Sequence, residues 1–288
     1  RLKAWILFYT STLENFKPNP LYYQSEPSEE YPLRVAENLY IHRSFSDSIF
    51  KRIIASPLLS KKSYLYSDMG FILFAEMIYQ LSGLKINEYV ENNIYSRMGL
   101  SKLCYLPRQR FPLNRIVPSE NDTTFRKQIL QGDVNDPAAA MLGGISGHAG
   151  LFGNAGDVAT LMYMLINEGK YAGNTFINSQ TIKLFTSQAF PSNNNRRGLG
   201  FDRPTQLKGP SNPAADGASL SSFGHSGFTG TYAWADPEHD LVFVFLSNRT
   251  FPYASNRIIN QLSVRQKCHQ VIYDAINQAR YISISRNK

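Results

Sequence analysis

The stretch "FGHSGFTGTYAWADPEHDLVFVFLSN" spans Phe223 to Asn248. Thr231 to Asp236 and Leu241 to Asn248 are rich in aromatic and β-branched residues, and Pro237-Glu238-His239-Asp240 between them is turn chemistry. The segment therefore reads as two antiparallel strands joined by a tight turn. Ahead of them Gly224, Gly227 and Gly230 surround a His-Ser pair. Glycine weakens a strand unless another group must approach its backbone closely, so this glycine-flanked opening marks a place to look for function.

Helical patterns precede the hairpin. Asp47 reads as the cap of a short helix, Ser48 to Ala55, with Ile49, Phe50, Ile53 and Ile54 on one face. In "YLYSDMGFILFAEMIYQLSG" the run from Met69 to Leu81 is apolar nearly all round, which predicts a buried helix ending at Gly83. A third helix follows Asn87 through Tyr89, Val90 and Ile94. Residues 1–45 read as an aromatic, proline-rich loop with "FKPNP" and "SEPSEEYP" as punctuation, and residues 101–140 as an irregular connector. Asp157 reads as the cap of "VATLMYMLINEG", with Val158, Leu161, Met162 and Leu165 inward and Gly169 as the stop. Residues 190–217 form a loop rich in Pro, Asn and Gly. A long amphipathic helix from about Ser255 to Ile282 follows the hairpin, with Ile258, Ile259, Leu262, Val271, Ile272 and Ile276 toward a sheet. Helices in 1–217 and strands plus a helix in 218–288 make an α+β arrangement, one incomplete domain overall.

With 288 residues, 43% hydrophobic and 18% charged, the chain has the balance of a globular protein with ample core. No apolar run approaches the ~20 residues of a membrane span. The start at Arg1, followed at once by core-like "LKAWILFY", reads as a piece of a longer precursor. The net charge of +8 comes from scattered Lys and Arg, with short doublets at Lys61-Lys62 and Arg196-Arg197 and no nucleic-acid motif. A solvated basic surface accounts for it. Cys104 and Cys268 are open to pairing or to staying free, and His42, His148, His225, His239 and His269 show no metal spacing, so no metal or cofactor is expected.

Three stretches occur in order: Tyr66-Ser67-Asp68 before the apolar helix, "GGISGHAGLFGNAGDVATLM", and His225-Ser226-Gly227 opening the strand. In that order and spacing they resemble the serine β-lactamase and DD-peptidase superfamily. "HAGLF", "GLGFD" (Gly198 to Asp202) and "GHSGFTGT" are most similar to the penicillin-binding-protein-like branch, in particular to β-lactamase-like domains that follow a family 3 glycoside hydrolase domain in bacteria.

The resemblance implies a helical region beside an antiparallel sheet flanked by helices, and acyl transfer from an amide or ester through a serine, with a small molecule or cell-wall peptide as substrate. It also implies a periplasmic or extracytoplasmic location and an upstream glycoside hydrolase domain in the same precursor. Such chemistry needs a nucleophile, a base and oxyanion donors. By resemblance Tyr66 is the base or proton relay and Asp68 stands where β-lactamases carry Asn. His225 stands where many relatives carry Lys, and the backbone N–H of Phe228 is one oxyanion donor. Ser226, Gly227 and Phe228 then line the substrate, with Gly227 and Gly230 keeping the strand edge bare for it. Asp68 is also placed to cap the helix, and His148 to fix its loop.

The family's first motif, Ser-x-x-Lys, has three matches here: Ser48/Lys51, Ser82/Lys85 and Ser285/Lys288. With 28 serines and 13 lysines, chance alone yields about one such pair. Ser48 lies only 18 positions before Tyr66, on a short helix, far closer than the family's usual interval. The nucleophile, its lysine and the first strands of the sheet are therefore expected upstream of Arg1, and this chain alone is expected to be inactive. The competing readings are a non-catalytic domain that binds cell-wall peptide or glycan or serves only as a structural appendage, and a complete enzyme with Ser48 as its nucleophile.

Overall fold

The computed structural model describes residues 18–286, apart from 58–59, 61–63, 192–194, 207–208 and 210. The core-like stretch at 2–9, the Lys61-Lys62 doublet and Lys288 lie outside the described residues. The α+β expectation holds, with helices and antiparallel sheets throughout. Contacts divide the chain into two compact units, residues 1–153 with 250–254, and residues 154–249 with 255–288. The first break falls at Gly153/Asn154, and the helix after Asn154 packs on the hairpin strands.

In the first unit, β1 (Tyr23–Gln24), β2 (Leu33–Ala36) and β3 (Leu39–Ile41) form an antiparallel sheet in the order β1-β3-β2. The loop expected over residues 1–45 thus contains a sheet, and Tyr23, Val35, Ala36, Leu39 and Ile41 of that sheet are core. Helix α1 (Phe45–Ile54) starts three residues earlier than expected. Asp47 sits in its first turn instead of capping it, Phe45, Ile49 and Ile53 are buried, and Ile54 is exposed.

Helix α2 (Met69–Ser82) ends as expected at Gly83, whose φ of 71° gives the left-handed cap that glycine adopts without strain. Its expected burial fails. Only Ile72 is fully buried, while Phe71, Phe74, Met77, Tyr79 and Leu81 are exposed. Helix α3 (Ile86–Val90) continues through a π-helical turn (Glu91–Tyr95) and a last turn (Ser96–Met98). Among the described residues no single helix is long and apolar enough to cross a membrane. Residues 69–82 and 86–98 reach that composition only together, across a 70° bend.

The expected connector 101–140 contains a hairpin, β4 (Pro118–Asp122) and β5 (Gln128–Gln131), and helix α4 (Pro137–Met141). Asp122 and Arg126 hold the hairpin from inside. The Asp122 carboxylate accepts from the Phe125 and Arg126 backbone N–H groups and from Arg126 Nε at 2.8 Å, and Arg126 also donates to the carbonyls of Val134 and Asn135.

In the second unit, helix α5 (Ala155–Ile166) is capped by Asn154, whose side chain accepts from Asp157 N–H at 2.8 Å. Asp157 is therefore a first-turn acid, and Gly169 (φ 82°) closes the turn behind the helix. A short hairpin, β6 (Lys170–Tyr171) and β7 (Asn174–Thr175), and helix α6 (Ser179–Thr186) follow. The decisive stretch folds as read, with β8 (Phe223–Ser226), β9 (Tyr232–Asp236) and β10 (Leu241–Phe245) forming one antiparallel sheet in the order β10-β9-β8.

Side chains alternate across this sheet as the two-residue period requires. Phe223, Ala233, Ala235 and Val242 pack with Val158, Met162 and Leu165 of α5. Tyr232, Trp234, Phe243 and Phe245 form the cluster on the other side with Ala214.

The C-terminal helix is broken into α7 (Ile258–Gln261) and α8 (Val264–Arg286), with Ser263 at φ 50° between them. The residues it buries are not the predicted aliphatics. Arg265, His269 and Tyr273 are buried, whereas Ile258, Leu262 and Val271 are exposed. His269 stacks on Phe243 (4.6 Å, 5°) and lies 3.3 Å from Tyr232 Oη. Tyr273 donates to Asp236 at 2.7 Å, and Asp236 also accepts from Ser219 N–H and Oγ–H and pairs with His239.

Burial among aromatic rings pulls the His269 imidazole down from 6.5 to about 4, partly opposed by Asp236. Between those values the unfolded chain binds a proton that the folded one refuses. Stability is therefore fully present above pH 6.5 and falls as pH drops toward 4, by about 3 kcal/mol over the window. Urea unfolding at pH 7 and pH 4.5 should show this loss, and His269→Gln should flatten it. An equal loss in the variant removes His269 as the cause. The Asp122, Asp136 and Asp236 carboxyls are held below 3.8 despite their burial, by Arg126, by His148 and by Ser219 respectively, so their contribution is lost only at lower pH.

Candidate active site

His225 lies on β8 opposite Ala233. Its Nδ1 is 2.8 Å from the Ser226 carbonyl oxygen, which only accepts, so Nδ1 carries the proton. Its Nε2 is 2.9 Å from Arg197 Nη1, which only donates. Arg197 in turn donates through Nη2 to Asp202 at 2.9 Å, and Arg196 reaches the same carboxylate at 2.9 Å. Asp202 is tied to the strand itself, exchanging backbone hydrogen bonds with Gly224 at 2.7 and 3.0 Å. Sequence reading treated Arg196-Arg197 as solvated surface. The signal that could have found them is their position directly before "GLGFD", whose aspartate they grip.

Ser226, Gly227 and Phe228 form an exposed shoulder at the end of β8. The Gly227 N–H donates to the Thr231 carbonyl at 2.8 Å, and the Arg249 guanidinium lies 4.7 Å from the centre of the Phe228 ring. The glycines have a local reason. A Cβ on Gly224 would meet the Ala233 carbonyl oxygen at 2.2 Å and the Trp234 ring at 2.5 Å, and one on Gly227 would meet Thr231 Oγ1 at 2.1 Å. Gly230 has φ 105° and faces Ser247 Oγ. The close approach that the strand opening demands is thus made by the protein's own chain.

Tyr66 and Asp68 belong to the first unit, and His225, Ser226, Gly227 and Phe228 to the second. Tyr66 lies exposed in the loop leading to α2. Asp68 occupies the position before the helix but makes no capping bond with its side chain. Ser67 Oγ accepts from the Met69 N–H at 3.3 Å instead. His148 bridges two groups of its own unit, with Nδ1 2.8 Å from Ser146 Oγ and Nε2 2.9 Å from Asp136 Oδ1, while Asp136 caps α4. Ser146 is fully buried, so this relay ties a glycine-rich loop to a helix start.

A cleft of about 490 Å³ in the first unit is lined by Ile72, Ala75, Glu76 and Tyr79 of α2 and by Arg34 and Arg108, and none of the expected site residues lines it. Its two arginines share Asp133 and Glu37, so their charges are paired. Among the described residues no group of three or more His, Cys, Asp or Glu could hold a metal, and Cys104 and Cys268 are both free.

Residues 4–266 match the Beta-lactamase family model. The chain belongs to the beta-lactamase family. Across 201 residues it is 32% identical to the Escherichia coli (strain K12) "Putative D-alanyl-D-alanine carboxypeptidase", covering 65% of this chain and 45% of the relative. It is 29% identical over 198 residues to the "N-acetylmuramyl-L-alanine amidase" of Bacillus subtilis (strain 168), covering 65% of this chain and 44% of that protein. It thus spans about half the length of the curated relatives it matches. A penicillin-binding protein homolog from Caulobacter crescentus shares the fold, with TM-score 0.50, 19% identity and coverage of 71% of this chain and 58% of that one.

In this beta-lactamase-family chain the serine of each Ser-x-x-Lys match bonds to a carbonyl one turn back. Ser48 Oγ donates to the Ser44 carbonyl at 3.5 Å, Ser82 Oγ to the Ile78 carbonyl at 2.6 Å, and Ser285 Oγ to the Ile282 carbonyl at 2.9 Å. Each hydroxyl is spent on its own helix. The bond that a Ser-Lys pair needs, hydroxyl to amine, is absent from Ser48/Lys51 and Ser82/Lys85 among the described residues, and Lys288 lies outside them.

Proposed function

We propose that this chain is the greater part of a serine hydrolase domain that opens an amide or ester through an acyl-enzyme, with cell-wall peptide as the substrate class. The observation that carries this reading is the commitment of Ser48, Ser82 and Ser285 to helix carbonyls, in a chain whose family requires a serine nucleophile. The nucleophile and its lysine then come from sequence outside these 288 residues, and the chain alone is inactive. The exposed apolar side chains of α2 support this, because a helix of that composition is normally covered.

In this mechanism Tyr66 relays the proton between nucleophile and leaving group, and Asp68 adds a negative charge beside it. His225 shapes the field at the substrate, the Phe228 N–H donates to the oxyanion, and Ser226 and Gly227 form the wall along which the substrate lies. The names of the Escherichia coli and Bacillus subtilis relatives, which point to bonds of the cell wall, support that substrate class and an extracytoplasmic location. An upstream glycoside hydrolase domain in the same precursor follows from the resemblance of "GHSGFTGT" and "GLGFD".

The test is a crystal structure of a longer form trapped with a β-lactam or phosphonate. Tyr66 Oη and the His225 ring are expected to line one cleft around the adduct. If the two lie on opposite faces, the reading of both is lost. If the longer form carries no Ser-x-x-Lys, the chain is a binding domain instead.

A further inference from the structure

We infer that Arg197 is a positioning residue: it locks His225 as the Nδ1–H tautomer and supplies, 2.9 Å behind the ring's Nε2, the permanent cation of the third motif. This rests on the reading of His225-Ser226-Gly227 as that motif. The two ring nitrogens of His225 face partners of opposite kind. A carbonyl oxygen 2.8 Å from Nδ1 requires a proton there, and a guanidinium N–H 2.9 Å from Nε2 requires a lone pair there. A neutral imidazole with its proton on Nδ1 satisfies both at once. The Nε2–H tautomer and the imidazolium would each set two donors against one another across 2.9 Å.

The lock is rigid because its anchor is bonded to the same strand. Asp202 holds Arg197 Nη2 at 2.9 Å, and its backbone is bonded in both directions to Gly224, the neighbour of His225. Arg197 is also largely covered, with 19% of its side chain exposed, so its charge is only weakly screened at His225. Arg196 shares the same carboxylate, which leaves one net positive charge on the Arg196-Arg197-Asp202 group. The assignment matters because imidazole changes its charge near neutrality whereas guanidinium does not. Where many relatives place an ammonium, this chain then presents a neutral ring backed by a fixed cation.

The test is ¹⁵N NMR of the ring nitrogens in the chain as it stands, at neutral pH. It needs no catalysis, so it separates this inference from the hydrolase reading. Wild type is expected to show His225 as a single tautomer, protonated on Nδ1 and bare on Nε2. Arg197→Gln should lose that single tautomer and give a mixture, and Arg197→Lys should restore it in large part. Arg196→Gln is the control, since it removes a bond to Asp202 without touching His225, and it should leave the tautomer alone. An imidazolium or Nε2–H ring in wild type overturns the inference whether or not any variant folds. So does an Arg196→Gln effect as large as that of Arg197→Gln.

Discussion

Tyr66→Phe, made in a form that carries the serine motif, is expected to lower turnover ~10²–10⁴-fold while substrate binding barely moves. The substitution removes one oxygen and keeps the ring. Tyr66 is 56% exposed and the variant keeps its ring, so the fold should survive the substitution. A fall in kcat and kcat/KM by the same factor marks an interaction made only in the transition state, which is what a proton relay provides. A rise in KM at constant kcat would make Tyr66 a binding residue. Unchanged turnover on the best amide or ester would remove it from the mechanism.

The parts of the fold that were legible in the sequence are those set by local chemistry. The hairpin was visible because alternation and turn residues coincide at Tyr232–Asp236, Pro237–Asp240 and Leu241–Phe245. The end of α2 was visible because Gly83 takes a conformation that other residues resist. Two helix starts were misread in the same way. Asp47 and Asp157 each lie three residues past the position before the helix, Ser44 and Asn154. Acids are favoured both at the cap and in the first turn, by hydrogen bonding and by the helix dipole, so composition alone does not separate the two positions.

Burial was less legible because it depends on distant partners. The aliphatic pattern of the last helix suggested one inward face, but Tyr232, Phe243 and Asp236 recruit His269 and Tyr273 instead. Likewise an all-round apolar pattern foretold the formation of α2 and said nothing of what covers it. The site follows the same division. His225 was found from its glycine neighbours, whereas Arg197, 28 positions earlier, becomes visible only when Asp202 pairs with Gly224.

Incubated with a fluorescent penicillin and with a fluorophosphonate, this chain is expected to keep its unmodified mass, while a form extended upstream takes up one label per molecule. Acylation needs a hydroxyl that gives up its proton to a base and a carbonyl oxygen held by two donors. Ser48, the best-placed match, lies in the middle of α1 with its hydroxyl turned to the Ser44 carbonyl. Releasing it would gain no base, since no bond joins it to Lys51. In the proposed mechanism one oxyanion donor is the nucleophile's own backbone N–H, and removing one such donor costs ~2.7–4 kcal/mol, or a factor of 10²–10³ in rate. Loss of the nucleophile and of half the oxyanion hole together leaves nothing for Tyr66 and His225 to assist. A stoichiometric adduct mapped to Ser48 would overturn this and make the chain a complete, compact enzyme. An adduct at Ser146 would do the same by a different route, showing that the buried relay through His148 to Asp136 opens to substrate. Silence in both the chain and the extended form would point instead to the binding domain, with the pocket retained and the covalent step given up.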